Sequence, residues 1–256
     1  MSTKFIIPSS DPELLEKAIR VAKEFVQPFI SDDVVGIVFL GAIARGYFDH
    51  LADIDIAIFK KQTSEISLAS KFLMIDDLEV QCWLSDYENE LTTPWDMAKR
   101  WTYSGGQIYF DPSEKISQLL EEKVPLKPEE KRWLMMSGLT LSEWYCKRLT
   151  NLWVERGDII SAHRMFDQGL NYFFEMLFGL NNQVVADMKW RYYCVEHLER
   201  TPHNFQERVK DTMILHLVSM EELERRKKAF MDMWDELKPI IEKEVQISFE
   251  EMLQIV

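Results

Sequence analysis

Cysteine is scarce in this chain of 256 residues: Cys82, Cys146 and Cys194 are all there are, an odd number with no CxxC pair. That excludes a disulfide framework or a CxxC zinc site as the organising feature and predicts a reducing, cytoplasmic setting. His163, His197, His203 and His216 lack HExxH-type spacing and are expected to be structural or exposed. No apolar run approaches the ~20 residues of a membrane span. The opening MSTKFIIPSSDPELLEK turns polar at once, so neither an export leader nor a membrane partner is expected. Positive charge is also short, with 30 Lys and Arg against 43 Asp and Glu and a formal net charge of −13. Such a surface repels phosphate backbones unless its basic residues cluster, which argues against nucleic acid as partner, whereas a cationic small molecule would be drawn to it.

Apolar material is plentiful: hydrophobic residues make up 46% and aromatics 12%, enough to bury real cores, and the length predicts two modest domains. Ser9, Ser10 and Asp11 before Pro12 mark a helix start, and Leu14, Leu15, Ala18, Ile19, Ala22, Phe25 and Val26 then recur at helical spacing until Pro28. Residues 34–40 form a β-branched run that reads as a buried strand closed by Gly41, and residues 54–59 form a second. KFLMI and LEVQCWL around Asp76 and Asp77 predict a hairpin with a two-residue turn, and residues 107–110 a last short strand before helix from Ser113. Beyond Pro125 and Pro128 no strand is legible, glycine is rare, and helices are expected over 128–149, 158–180, 185–198, 205–217 and 220–244, the last kinked at Pro239. The expected architecture is α+β: a mixed sheet flanked by helices over residues 1–124 and an all-helical domain over 125–256. No internal repeat is visible.

The chemistry concentrates in residues 41–55, GAIARGYFDHLADID. A strand ends in a small-residue turn, a polar segment follows, and the next strand opens on Asp53 and Asp55. Strand side chains alternate, so both carboxylates share one face with apolar Ile54 on the other. Two readings stand, an edge strand whose acids face water and a site for a divalent cation that relieves their repulsion; an all-oxygen ligand set favours Mg²⁺. Gly41 and Ala42 would let backbone N–H groups approach a triphosphate, Arg45 would add positive charge beside it, and Gly46 suits a tight bend. LEVQCWL puts Glu79 and Gln81 on one strand face, so Glu79 is either a third acid for the pair or a solvent-facing strand residue.

FLGAIARGYFDHLADIDIAIF resembles the signature of the polymerase-beta-like nucleotidyltransferase superfamily: an apolar strand, Gly-Ser or Gly-Gly, a short spacer, Asp-x-Asp between apolar neighbours, and a later third acid. The Ala-Arg-Gly is similar to that of its small-molecule and minimal branches, and Glu79 is similar to the Val-Glu-Val-type strand of the aminoglycoside-modifying branch. The resemblance covers roughly the first half of the chain. It implies that Asp53, Asp55 and Glu79 hold Mg²⁺ and carry catalysis, that Gly41, Ala42 and Arg45 contact the NTP, and that the helical domain binds the acceptor. Ala42 departs from the usual Ser or Gly and lacks the phosphate-binding hydroxyl, a loss of about 1 kcal/mol.

The expected activity is transfer of a nucleotidyl group, AMP from ATP first, to a hydroxyl of a small polar acceptor such as an aminoglycoside-like compound. A protein acceptor is the nearer alternative; a non-catalytic nucleotide-binding or interaction module that keeps the fold is the alternative of another class. Candidate bases for the acceptor hydroxyl are Glu143, Asp167 and Glu175, with the wet face of a core helix as the competing account of Asp167 and Glu175. Lys189 either reaches a triphosphate or is an exposed helical lysine. Trp133, Trp144, Trp153, Trp190 and Trp234 are expected mostly to pack.

Overall fold

The computed structural model describes residues 5–256; the first four residues, part of the stretch examined for an export leader, lie outside the described residues. The chain divides into two compact units, Met1–Pro125 and Leu126–Val256. The fold is α+β, with every strand in the first unit.

In the first unit, α1 (Pro12–Val26) begins where Asp11 Oδ1 accepts from the N–H groups of Glu13 and Leu14, and Pro12 occupies a position whose N–H would have no helical partner. Strand β1 (Val34–Leu40) is buried along its whole length, because it lies near the middle of a five-stranded sheet of order β3-β4-β2-β1-β5. The others are β2 (Ile54–Lys60), β3 (Phe72–Ile75), β4 (Leu78–Asp86) and β5 (Gln107–Phe110). β2 runs parallel to β4, and every other neighbouring pair is antiparallel. The hairpin between β3 and β4 turns on Asp76 (φ 49°) and Asp77 (φ 62°), both left-handed as a two-residue primed turn requires.

One sheet face carries Val38, Leu40, Ala57 and Phe59, packed with Tyr87, Trp95, Tyr103, Ile116 and Leu119. Those residues come from α3 (Tyr87–Thr92), the loop after it, α4 (Met97–Ser104) and α5 (Lys115–Lys123). α3 and α4 have no clear sequence signature, since each is only a few residues long and draws its stability from the sheet beneath rather than from propensity. Between β1 and β2 lies α2 (Gly41–Arg45), closed by left-handed Gly46 at φ 81°. Buried Arg100 closes the unit by donating to the carbonyls of Val124 and Pro125.

The second unit is helical: α6 (Pro128–Glu143), a π-helical turn (Trp144–Leu149), α7 (Thr150–Glu155), α8 (Ile159–Leu180), α9 (Met188–Val195), α10 (Phe205–Met213), α11 (Met220–Val245) and α12 (Phe249–Ile255). Several helix boundaries differ from the sequence expectation. The first helix runs through the π turn to Glu155, and the third starts only at Met188, where Asp187 accepts from the Lys189 N–H. α10 stops at Met213 instead of 217 because side chains of α11 take its last carbonyls: Arg226 Nε donates to Thr212 O at 2.6 Å, and Arg225 to Asp211 O and Ile214 O. Pro239 lies within an unbroken α11, and α12, capped by Ser248 and Glu251, was not anticipated. Among the described residues, no helix is long and apolar enough to cross a membrane.

Arg226, 1% exposed, is the unit's buried cation. Besides Thr212 it donates to Asp167 Oδ1 at 2.5 Å and to His163 Nδ1 at 3.0 Å, while its guanidinium lies 4.7 Å from the Phe166 ring centroid. A guanidinium can only donate and the Ser219 carbonyl can only accept, so His163 carries its proton on Nε2, 3.1 Å from Ser219 O. Arg226→Met leaves the His163 acceptor and the Thr212 carbonyl unpaired in the core. Urea unfolding of that variant should show a loss of about 3 kcal/mol or more; a loss below about 1 kcal/mol would mean the network contributes little.

Candidate active site

The Asp53 and Asp55 carboxylates lie on the sheet face covered by α3, α4 and α5, at the end those helices leave open. Asp55 pairs with Leu40 of β1 on one side and Gln81 of β4 on the other. Ile54, pointing the other way, is fully buried, while both aspartates are half-buried. The alternation expected from the sequence therefore puts the acids at the rim of a core.

Gly41 decides where Asp55 points. It is left-handed, with φ 56°, and a Cβ added there would stand 2.0 Å from Asp55 Oδ2. Only a residue without a side chain admits both the backbone angle and a carboxylate lying against the main chain. The segment leading to Asp53 is pinned separately: Ser9 Oγ donates to Asp49 Oδ2 at 2.5 Å, the Leu51 N–H to Asp49 Oδ1 at 2.9 Å, and the Phe48 N–H to Ser10 Oγ at 3.2 Å. The Ser9 hydroxyl, with these backbone donors, holds the Asp49 carboxyl below its ordinary range although burial opposes it.

Glu79 is exposed on β4, on the face it shares with Gln81. The Gln81 amide joins the acids: Nε2 lies 2.6 Å from Asp53 Oδ2 and 2.9 Å from Glu79 Oε1. Asp53 and Glu79 thus meet on one nitrogen, with Asp55 one strand residue away. The face continues onto β3, where Phe72 pairs with Gln81 and Met74 with Glu79. Their side chains are 58% and 68% exposed, unusual for large apolar residues beside a cluster of acids.

Ala42 is buried and brings no polar side chain to the turn. Arg45 is 6% exposed. It donates from Nη2 to the Trp101 carbonyl at 3.1 Å, lies 4.3 Å from the Trp101 ring centroid and 5.1 Å from that of Phe5, and packs against Gly105, where a Cβ would meet Nη1 at 2.2 Å. The sequence expectation had it beside a triphosphate; here the guanidinium anchors the turn to the end of α4. Tyr47, which sequence reasoning passed over, is buried, and burial pushes its phenol up to about 12. Asp49, Asp53 and Asp55 add to that rise and Arg45 opposes it, so the phenol lies within the field of both aspartates.

The all-oxygen set of Asp53, Asp55 and Glu79 suits a hard divalent cation. Among the described residues, no group of three or more Asp, Glu, His or Cys side chains is gathered closely enough to hold a metal ion. The Gln81 amide stands between two of the carboxylates with its hydrogens directed at the oxygens a cation would take. By donor type the three carboxylates suit such an ion, and Asp53 and Glu79 are the two that the structure already holds together.

In the helical unit the candidate bases are each engaged. Asp167 pairs with Arg226, and Glu175 pairs with Arg191 at 3.1 Å, its carboxyl raised by burial against that pairing. Glu143 is buried 3.5 Å from both Lys147 and Arg148, with Oε2 lacking a hydrogen-bond partner. Lys189 is exposed in the first turn of α9. Trp234 packs, donating to Leu139 O at 3.0 Å, while Trp133 and Trp144 are 51% and 41% exposed.

No protein-family model matches the chain, and no curated protein does. Among solved structures it is similar to a nucleotidyltransferase-like protein from Exiguobacterium sibiricum 255-15, with a TM-score of 0.47 and 10% identity over 91% of this chain and 78% of that one. The likeness is loose, and the residues of the site carry the functional reading.

Two measurements check this geometry. Gly41→Ala should cost about 1–2 kcal/mol for the left-handed angle alone and more for displacing Asp55; an unchanged melting temperature would mean the turn has another conformation. Ser9→Ala should cost about 1 kcal/mol at neutral pH. Because the Asp49 carboxyl is held low in the folded state, that stabilisation exists above its unfolded value and disappears as pH falls through its folded one. The gap between wild type and variant should therefore close in acid; a gap constant with pH would remove Asp49 from the account.

Proposed function

We propose that the chain is an NTP-dependent nucleotidyltransferase, with ATP as the first donor to test and a hydroxyl of a small polar acceptor as nucleophile. The observation that carries this reading is the convergence of Asp55 against the Gly41 backbone with Asp53 and Glu79 held on one amide. Asp53, Asp55 and Glu79 would hold Mg²⁺, which when bound neutralises the polyphosphate and polarises the attacking oxygen. Phe72 and Met74 offer an exposed apolar surface next to the acids, on which a ring face of the acceptor would pack. The net charge of −13 supports a cationic acceptor of aminoglycoside type, and the free cysteines support a reducing, cytoplasmic setting.

A second reading has its own support. Arg45 is committed to Trp101 and Ala42 has no hydroxyl, which leaves the turn a weaker phosphate grip, as a nucleotide-binding module without catalysis would have. Incubation with ATP, Mg²⁺ and a panel of hydroxylated amines, read by pyrophosphate release, separates the two. Turnover lost about 10³-fold or more in Asp53→Asn and in Asp55→Asn, with unchanged circular dichroism, supports the transferase. Full activity in either variant sinks the mechanism, and bound ATP without turnover in the wild type favours the module. Transfer to a co-purified protein in place of the amines would shift the acceptor to a protein hydroxyl.

A further inference from the structure

Gln81 uses both hydrogens of one amide nitrogen on carboxylates of different strands, 2.6 Å from Asp53 and 2.9 Å from Glu79. That nitrogen is located between the two oxygens that a divalent cation would use. An amide donor and a cation exclude one another there, because the N–H hydrogens would face the metal charge. Resting on the metal-binding reading above, we propose that Gln81 is a positioning residue that stands in for the cation: it holds Asp53 and Glu79 together in the metal-free protein and must leave them when a divalent ion enters.

Three features of the strands support the role. Glu79 is an exposed side chain on β4, and β3 sets the uncharged Met74 opposite it. Without the amide, Glu79 would turn to solvent, and its repulsion from Asp53 would speed that departure. Gln81 pairs with Asp55 in the parallel register of β2 and β4, which sets the root of its side chain beside the acids, and it is itself only half-buried, so its amide has water to move into. Charge-assisted hydrogen bonds of this kind are among the stronger ones, so entry of the cation must offset both.

The test uses Mn²⁺ alone with the full chain, read by calorimetry and by the electron paramagnetic resonance signal of free Mn²⁺, so it needs neither acceptor nor turnover. Gln81→Leu keeps the bulk and removes the donors; it should bind Mn²⁺ about tenfold more tightly than wild type. Its melting temperature should fall in EDTA and recover in excess Mn²⁺ by a larger increment than the wild type shows. Gln81→Asn, an amide too short to span both carboxylates, should shift affinity in the same direction and guards against poor folding of the leucine variant. Equal or weaker Mn²⁺ binding in both variants overturns the proposal, the weaker case assigning Gln81 as a ligand through its oxygen. If Asp53→Asn abolishes Mn²⁺ binding while the Gln81 variants match wild type, the metal site stands and the stand-in alone fails. Absence of Mn²⁺ binding from wild type and variants alike overturns both.

Discussion

The close approach of the Asp55 carboxylate to Gly41 is the constraint on which the acidic end of the first unit depends. Because Gly41 takes a left-handed angle and carries no side chain, β1 breaks sharply into a five-residue helix, and β2 can return beside β1 with Asp55 opposite Leu40. Gly46, also left-handed, closes that helix, and the chain then runs past Tyr47 and the Ser9-bound Asp49 into Asp53. Any side chain at position 41 would have to share space with the carboxylate, and the strand pair would lose its acidic end.

Two buried arginines in this acidic chain are each held by several partners. Arg45 and Arg226, one in each unit, are treated alike: a backbone carbonyl, an aromatic face, and close packing that excludes water. The resulting cations are rigid, and rigidity suits anchoring better than ligand capture. The acids of the candidate site are treated in the opposite way. Asp53 and Asp55 remain half-exposed at the rim of the core, and one neutral amide spans Asp53 and Glu79. Groups that stay partly solvated can exchange a hydrogen-bond partner for a ligand with less rearrangement than a cation packed in the core.

Much of the first unit was legible because its signals are local. Asp11 before Pro12, the β-branched run 34–40, the Asp76–Asp77 turn and the alternation of LEVQCWL each act within a few residues, and each appears in the structure where the pattern put it. The same alternation had set Gln81 on the face of Glu79, so the amide bridge had a visible precursor. α3, α4 and the true end of α10 were not legible, because they are set by surfaces and side chains farther along the chain, as when Arg225 and Arg226 take the carbonyls that would continue α10. Arg45 shows the same limit: its spacing from Gly41 suggested a phosphate ligand, and its burial beside Trp101, 56 residues on, could not be read from neighbours.

Sequence alone determined the α+β division, the strands that carry the acids and the shared face of Asp53 and Asp55, since alternation is a property of a few consecutive residues. Tertiary structure alone decided which side chains the acids meet. The parallel pairing of β2 with β4 brought Gln81 to Asp55 and its amide to Asp53, and the packing of α4 set the Arg45 guanidinium against Trp101. Those outcomes depend on register and burial between segments distant in the chain, where hydrogen-bond geometry and excluded volume, not local preference, select the partner.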